Sequence, residues 1–287
     1  MVRQQVFRKR CTTARDVALL TIAAMVLACL FSGCSGKPQD AAPTGGRTIV
    51  ASDTILSEIA SSLLPPGRYR VEAILPPGQC PGHYDVKLTD IERMNKAALN
   101  VSFRGVSFMA KAGLDDGRQL VVDPEGRNWM APGSYAQGLE ILAARLSERF
   151  PQDAAEIARR KEQALRLLKK EADALVQKVT GAGLSGKPVI ASSMQKEPLE
   201  WMGFRVVAEY GRQEAMSARE VLRLAEIGKS RGAIMVVDNL QSGSDTGKGI
   251  AETLRAPHVV LTNFPSEKGY LATLKENVDV LLSAVRK

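Results

Sequence analysis

The sequence holds few of the side chains that most often carry chemistry. Two histidines, His83 and His258, occur in 287 residues, and aromatic side chains make up 5%. No Gly-x-Ser-x-Gly elbow is present and neither histidine has a candidate nucleophile beside it, so an enzyme of the acyl-transfer kind is not expected. Aromatics are nowhere interleaved with a basic stretch, which leaves single-stranded nucleic acid no stacking platform. The net charge of +8 is misleading, because the first 33 residues hold five of the 39 Lys and Arg and one of the 31 Asp and Glu, leaving 34 against 30. That balance is too even for nucleic acid to be a partner. Gly243 to Gly249 (GSDTGKG) looks superficially like a phosphate loop, but its glycines are four apart and no Ser or Thr follows Lys248. It reads as a surface loop leading into a helix.

Cysteine is scarce too: Cys11, Cys29, Cys34 and Cys80. Three of the four belong to the N-terminal segment. Arg3, Arg8, Lys9, Arg10 and Arg15 precede an apolar run, Val17 to Phe31 (VALLTIAAMVLACLF), which ends in Ser32-Gly33-Cys34. Fifteen residues are short of the roughly 20 that span a bilayer, and small residues directly before a cysteine resemble a lipobox. Residues 1–33 are therefore expected to be a lipoprotein signal peptide, with Cys34 the lipidated N-terminus of an exported protein anchored to the cell membrane, facing the periplasm or cell exterior. Cys80 is then the lone free thiol, and no intrachain disulfide is possible.

What remains is a globular composition, 45% hydrophobic and 24% charged. Residues 34–47, rich in Gly, Pro and Ala, read as a tether. From Thr48 onward, short β-branched runs alternate with amphipathic ones. Strands are predicted at residues 48–52, 71–75, 98–103, 119–123, 188–192, 205–209, 233–238 and 258–262. Helices are predicted at 55–64, 88–97, 135–150, 218–231, 247–254 and 270–286. Between the halves, Asp153 to Val179 has no Gly or Pro, and Leu165, Leu168, Ala172, Leu175 and Val179 recur at spacings of three and four. That is one long helix, with an Asp-x-x-Glu start at Asp153 and Glu156. The fold class is α/β. Two parallel-sheet lobes, residues 48–152 and 180–287, are joined by a helix at 153–179, and the chain is expected to be a monomer.

In such sheets ligands bind beyond the carboxyl ends of the strands. The loop after the second strand carries Cys80 and His83 in a Pro- and Gly-braced Cys-x-x-His, a plausible metal half-site, with Tyr84 and Asp85 beside it. The loop after the fourth strand carries Arg127, Asn128, Trp129 and Met130. The second half offers Ser192, Ser193 and Met194, then Asp238 and Asn239, then Thr262 and Asn263. His258 opens the last strand without a cysteine or carboxylate next to it in sequence and reads as structural.

These stretches resemble the zinc- and manganese-binding receptors of ABC importers. Ile74 to Asp90 (ILPPGQCPGHYDVKLTD) is similar to that family's PxGxDPHxYExTPSD loop, Ala97 to Gly105 to its strand ending in NG, Asn128 to Arg145 to its HxWLDP segment and helix, and Ile250 to Leu282 to its C-terminal strand and helix. The resemblance implies an extracytoplasmic receptor that captures a metal ion between two lobes and passes it to permease and ATPase subunits, with small tilts of the lobes rather than wide closure. The departures sit in the site. Gly82 stands where the first family histidine would be, Cys80 where its aspartate would be, and His83 matches only after a shift of one. Arg127, Ser192 and Thr262 or Asn263 take the other ligand positions. Two readings follow. Either Cys80 and His83 rebuild a site for a softer ion, zinc foremost, helped by Met194, Met130 or Asp238. Or the metal ligands are lost, and Arg127, Asn128, Ser192, Ser193, Asn239 and Asn263 hold a polar or anionic solute, or a metal complex, with Arg127 as the anchor. A non-transport lipoprotein, either an adhesin or a metal-dependent hydrolase, is the competing class.

Overall fold

The computed structural model describes residues 46–79, 81–110 and 112–285. The signal, most of the tether, Cys34 and Cys80 lie outside the described residues. The first sheet is built from β1 (Arg47–Ala51), β2 (Tyr69–Ala73), β3 (Leu99–Phe103) and β4 (Gln119–Val122) in the order β2-β1-β3-β4. The second is built from β5 (Pro188–Ser192), β6 (Arg205–Tyr210), β7 (Val236–Asn239) and β8 (His258–Leu261) in the order β6-β5-β7-β8. All pairings are parallel. The central strands are apolar without alternation because helices cover both faces: Val50 and Ala51 in β1 and Val189, Ile190 and Ala191 in β5 are fully buried.

The two orders match, so each sheet has one point at which successive connections leave in opposite directions, between β1 and β3 and between β5 and β7. The loops that leave those strands at their carboxyl ends meet on one side of the molecule.

The helices of the first half are α1 (Thr54–Leu63), α2 (Leu88–Lys96), α3 (Ser107–Ala110) and α4 (Pro132–Arg149). Then comes α5 (Ala154–Gly181), and after it α6 (Lys196–Trp201), α7 (Ala218–Arg231), α8 (Lys248–Leu254) and α9 (Tyr270–Val285). At 28 residues and about 1.5 Å per residue, α5 is about 42 Å long. Its buried stripe, Ile157, Leu168, Ala172, Leu175 and Val179, follows the helical period and lies against α1, α4 and α9, so it touches both halves. Lys178 of α5 also pairs with Asp279 of α9.

One apolar core runs through both sheets. It includes Ile49 and Val101 of the first, Val189 and Val237 of the second, and between them Trp129, Met130, Tyr135 and Tyr270. Opening the lobes widely would expose that shared core, at about 25 cal/mol for each Å² uncovered.

Candidate functional site

The loop from β4 to α4 is shaped by local chemistry. Asp123 accepts the backbone N–H of Glu125 at 2.9 Å and Nε of Arg104 at 2.8 Å, and these bonds hold its carboxyl below the usual range. Glu125 and Gly126 follow with φ of 52° and 70°, a left-handed pair that glycine makes easy and glutamate tolerates. The chain reverses there, and Arg127 and Asn128 face the second half. Asn128 then turns its own Oδ1 to the N–H of Met130 at 2.9 Å, ahead of Pro132 at the first turn of α4.

Opposite lies a loop that begins at the end of β5. Ser192 is buried, a single turn of 3-10 helix covers Ser193–Gln195, and α6 starts at Lys196. This turn sets Glu197 and Glu200 toward the first half. Glu197 receives Arg127 Nε at 3.0 Å and Nη2 at 2.9 Å, Ser134 Oγ at 2.6 Å, and the backbone N–H of Asn128 at 2.7 Å. Burial alone would push its carboxyl up. The Ser134 hydroxyl, the Asn128 amide and the Arg127 guanidinium outweigh it and hold the group below the ordinary glutamate range.

Asn128 adds two more links across the halves, donating through Nδ2 to Asn263 Oδ1 at 2.7 Å and to the carbonyl of Met194. Asn263 is steadied in turn by Gln241, whose Oε1 accepts its N–H at 2.8 Å.

Around this lattice is a cavity of about 630 Å³ at the carboxyl ends of both sheets. Phe103, Trp129 and Phe264 contribute aromatic wall, Met194 a half-exposed thioether, and Arg127, Asn128, Glu197, Glu200, Lys196 and Asn263 the polar groups. The wall is packed from behind: Trp129 meets Phe103 edge-on with centroids 4.7 Å apart. Pro81, from the Cys-x-x-His loop, is also part of the wall.

Of the residues singled out in the sequence, the fold thus brings Arg127, Asn128, Trp129, Ser193, Met194 and Asn263 together at the cavity, while Ser192 and Asn239 are buried, the latter bonded to Gln195 and Ser242. His83 is exposed on the turn Pro81–His83 and is not part of the cavity wall. Tyr84 gives its hydroxyl to Asp90 at 2.7 Å, which with burial pushes it up to about 12, and Asp85 is exposed. Met130 is core, 1% exposed.

Asp238 is not brought to the cavity. It is fully buried, and both its oxygens are taken: Oδ1 by Tyr210 Oη at 2.6 Å, Oδ2 by His258 Nε2 at 2.7 Å, and both by the Gly247 N–H at 3.1 and 2.9 Å. His258 therefore does have a carboxylate partner, supplied by the neighbouring strand. Among the described residues no group of three or more His, Cys, Asp and Glu is placed to hold a metal ion. Glu197 and Glu200 were not singled out in the sequence. They lie in a helix of six residues with Pro198 inside it, too short to show a period.

Residues 49–284 match the family model described as zinc-uptake complex component A, periplasmic. No curated protein matches the sequence. Among solved structures, a crystal structure of ZnuA is similar with a TM-score of 0.68 at 16% identity, over 83% of this chain and 99% of the other. The periplasmic zinc-binding protein TroA from Treponema pallidum gives 0.68 at 14%, over 84% and 99%. The laminin-binding protein Lmb of Streptococcus agalactiae, described as bifunctional with adhesin and metal-transporting activity, gives 0.68 at 14%, over 84% and 100%. At these identities the likeness is one of fold. No described helix is long and apolar enough to cross a membrane.

Proposed function

The chain belongs to the ZnuA family, the periplasmic metal-binding components of uptake systems, and from that premise we propose that it is the lipid-anchored receptor of an ABC importer. It captures a transition-metal ion, zinc foremost, between its lobes and releases it to a permease. The observation that carries this reading is the cavity at the carboxyl ends of both sheets, with Pro81 in its wall. Pro81 directly follows Cys80 and stands two residues before His83. The turn Pro81–His83 thus starts at the wall of the cleft. Met194, half-exposed in the opposite wall, offers a third soft donor.

Thiolate, imidazole and thioether together favour zinc or copper over manganese. The first two must shed protons to bind, so affinity falls as pH drops. Lipidation at Cys34 would keep the receptor at the membrane.

The alternative, an anionic solute anchored by Arg127, has weaker physical support. That guanidinium already holds Glu197 through two N–H groups. An incoming anion would have to displace a carboxylate that is tethered in place, and so present at high effective concentration.

Zinc titration calorimetry on wild type and His83→Ala across pH 5.5 to 8 tests the reading. Wild-type affinity should fall with acidity, and the variant should lose affinity at every pH. Equal zinc affinity in both, flat with pH, would remove His83 from the site.

A further inference from the structure

The cleft is bridged by the protein's own groups, and the inference drawn from this rests on the cleft being the place where cargo enters. Glu197 belongs to α6 of the second half, yet each of the four hydrogen bonds to its carboxylate comes from the first half, at Arg127, Asn128 and Ser134. The side-chain amide of Asn128 doubles the bridge that its backbone N–H makes, reaching the loop after β5 and the loop after β8 at once. The residues in this lattice include those that take family ligand positions in the sequence, Arg127 and Asn263 among them.

Two kinds of contact join the halves, and they differ in exposure. On the closed side Tyr135 and Tyr270 stack with centroids 3.6 Å apart, both nearly fully buried, and Tyr270 gives its hydroxyl to the Met130 carbonyl at 3.1 Å. That side cannot part without exposing core. On the cavity side Arg127 and Glu197 keep side-chain exposures of 50% and 30%. Water can take over their hydrogen bonds, so this side can part while the fold stays intact.

We propose that Glu197 and Arg127 form an interlobe latch, which holds the two halves together at the mouth of the cleft and must open before cargo can enter. Glu197 is a positioning residue in this account and not a cargo ligand. The latch sets a conformational cost on binding, because apparent affinity is reduced by the fraction of molecules that are open. A variant without the latch should therefore load faster and bind at least as tightly.

The test is hydrogen exchange of the full chain after chelator treatment, followed by stopped-flow uptake of zinc, for wild type, Arg127→Ala, Glu197→Ala and the milder Glu197→Gln. The backbone N–H of Asn128 should be protected in wild type and exchange about tenfold faster or more in Arg127→Ala. Arg127→Ala leaves the amide's acceptor in place, so faster exchange there reports separation of the halves and not a missing partner. Zinc uptake should speed up several-fold in each variant, with affinity equal or higher. Unchanged exchange in Arg127→Ala overturns the latch. So does weaker zinc binding in Glu197→Ala or Glu197→Gln, which would make Glu197 a ligand. If the wild-type chain takes up no zinc at all, the cargo reading fails while the exchange result still decides the latch.

Discussion

Asp238 and His258 meet at 2.7 Å between neighbouring strands of the second sheet, the carboxylate fully buried and the imidazole about one-fifth exposed. The contact is the outer end of a buried chain that runs from Tyr210 through Asp238 to His258. It braces the second sheet, tying β6, β7 and β8 together.

Replacing Asp238 by Ala should therefore act on stability and not directly on cargo. The change strands the Gly247 amide and His258, while the Tyr210 hydroxyl keeps the Val237 carbonyl at 3.1 Å, and a loss of about 3 kcal/mol is expected. Urea denaturation monitored by circular dichroism measures it. A loss below about 1 kcal/mol would mean that water replaces the carboxylate at little cost.

Gly138 of α4 lies against the indole of Trp129: a Cβ there would sit 2.4 Å from Cζ3 and 3.0 Å from Ile59 Cδ1. Gly138→Ala gains helix propensity but must move a ring that walls the cavity. Overpacking of this kind costs about 1 to 3 kcal/mol, more than the roughly 1 kcal/mol that alanine gains in a helix. A net loss of stability together with altered Trp fluorescence is expected, and a stabilised variant would show that the ring moves freely.

Much of this architecture is legible in the sequence. All eight strands and the long helix follow from β-branched runs and from a stripe of period 3.6, because burial on both sheet faces and along one helix face demands those patterns. Ends shift by a few residues. The second strand is predicted at 71–75 and occupies Tyr69–Ala73, since pairing with β1, not composition, sets its register. The short helices α3 and α6 leave no periodic trace.

The candidate site is legible only in part. Arg127, Asn128 and Asn263 come to notice by their place in the family pattern, and the structure gathers them. Glu197 does not, because its meaning depends on a partner 70 residues earlier. Asp238 looks like a cleft residue from its place at a strand end. Its side chain is instead claimed by Tyr210 and His258, a tertiary preference that spacing cannot show.

Acid should act on the Glu197 bridge in a definite direction. Its carboxyl is held below the ordinary range, so the folded state binds its proton less readily than the unfolded chain does. The stability it contributes is fully present above the ordinary glutamate range and is lost as pH falls through the depressed value. The gap in melting temperature between wild type and Glu197→Gln should thus shrink with acidity below pH 5. A gap that is constant between pH 3 and 7 would show that charge plays no part in the bridge.

The proposed receptor holds its transition-metal ion through Cys80. The most direct measurement is the metal content of wild type and Cys80→Ser by native mass spectrometry with elemental analysis, after exposure to zinc, copper and nickel in turn. One equivalent of metal, zinc foremost, in wild type and its loss in the variant is the predicted result. Equal loading of both proteins, or none of either, would contradict it.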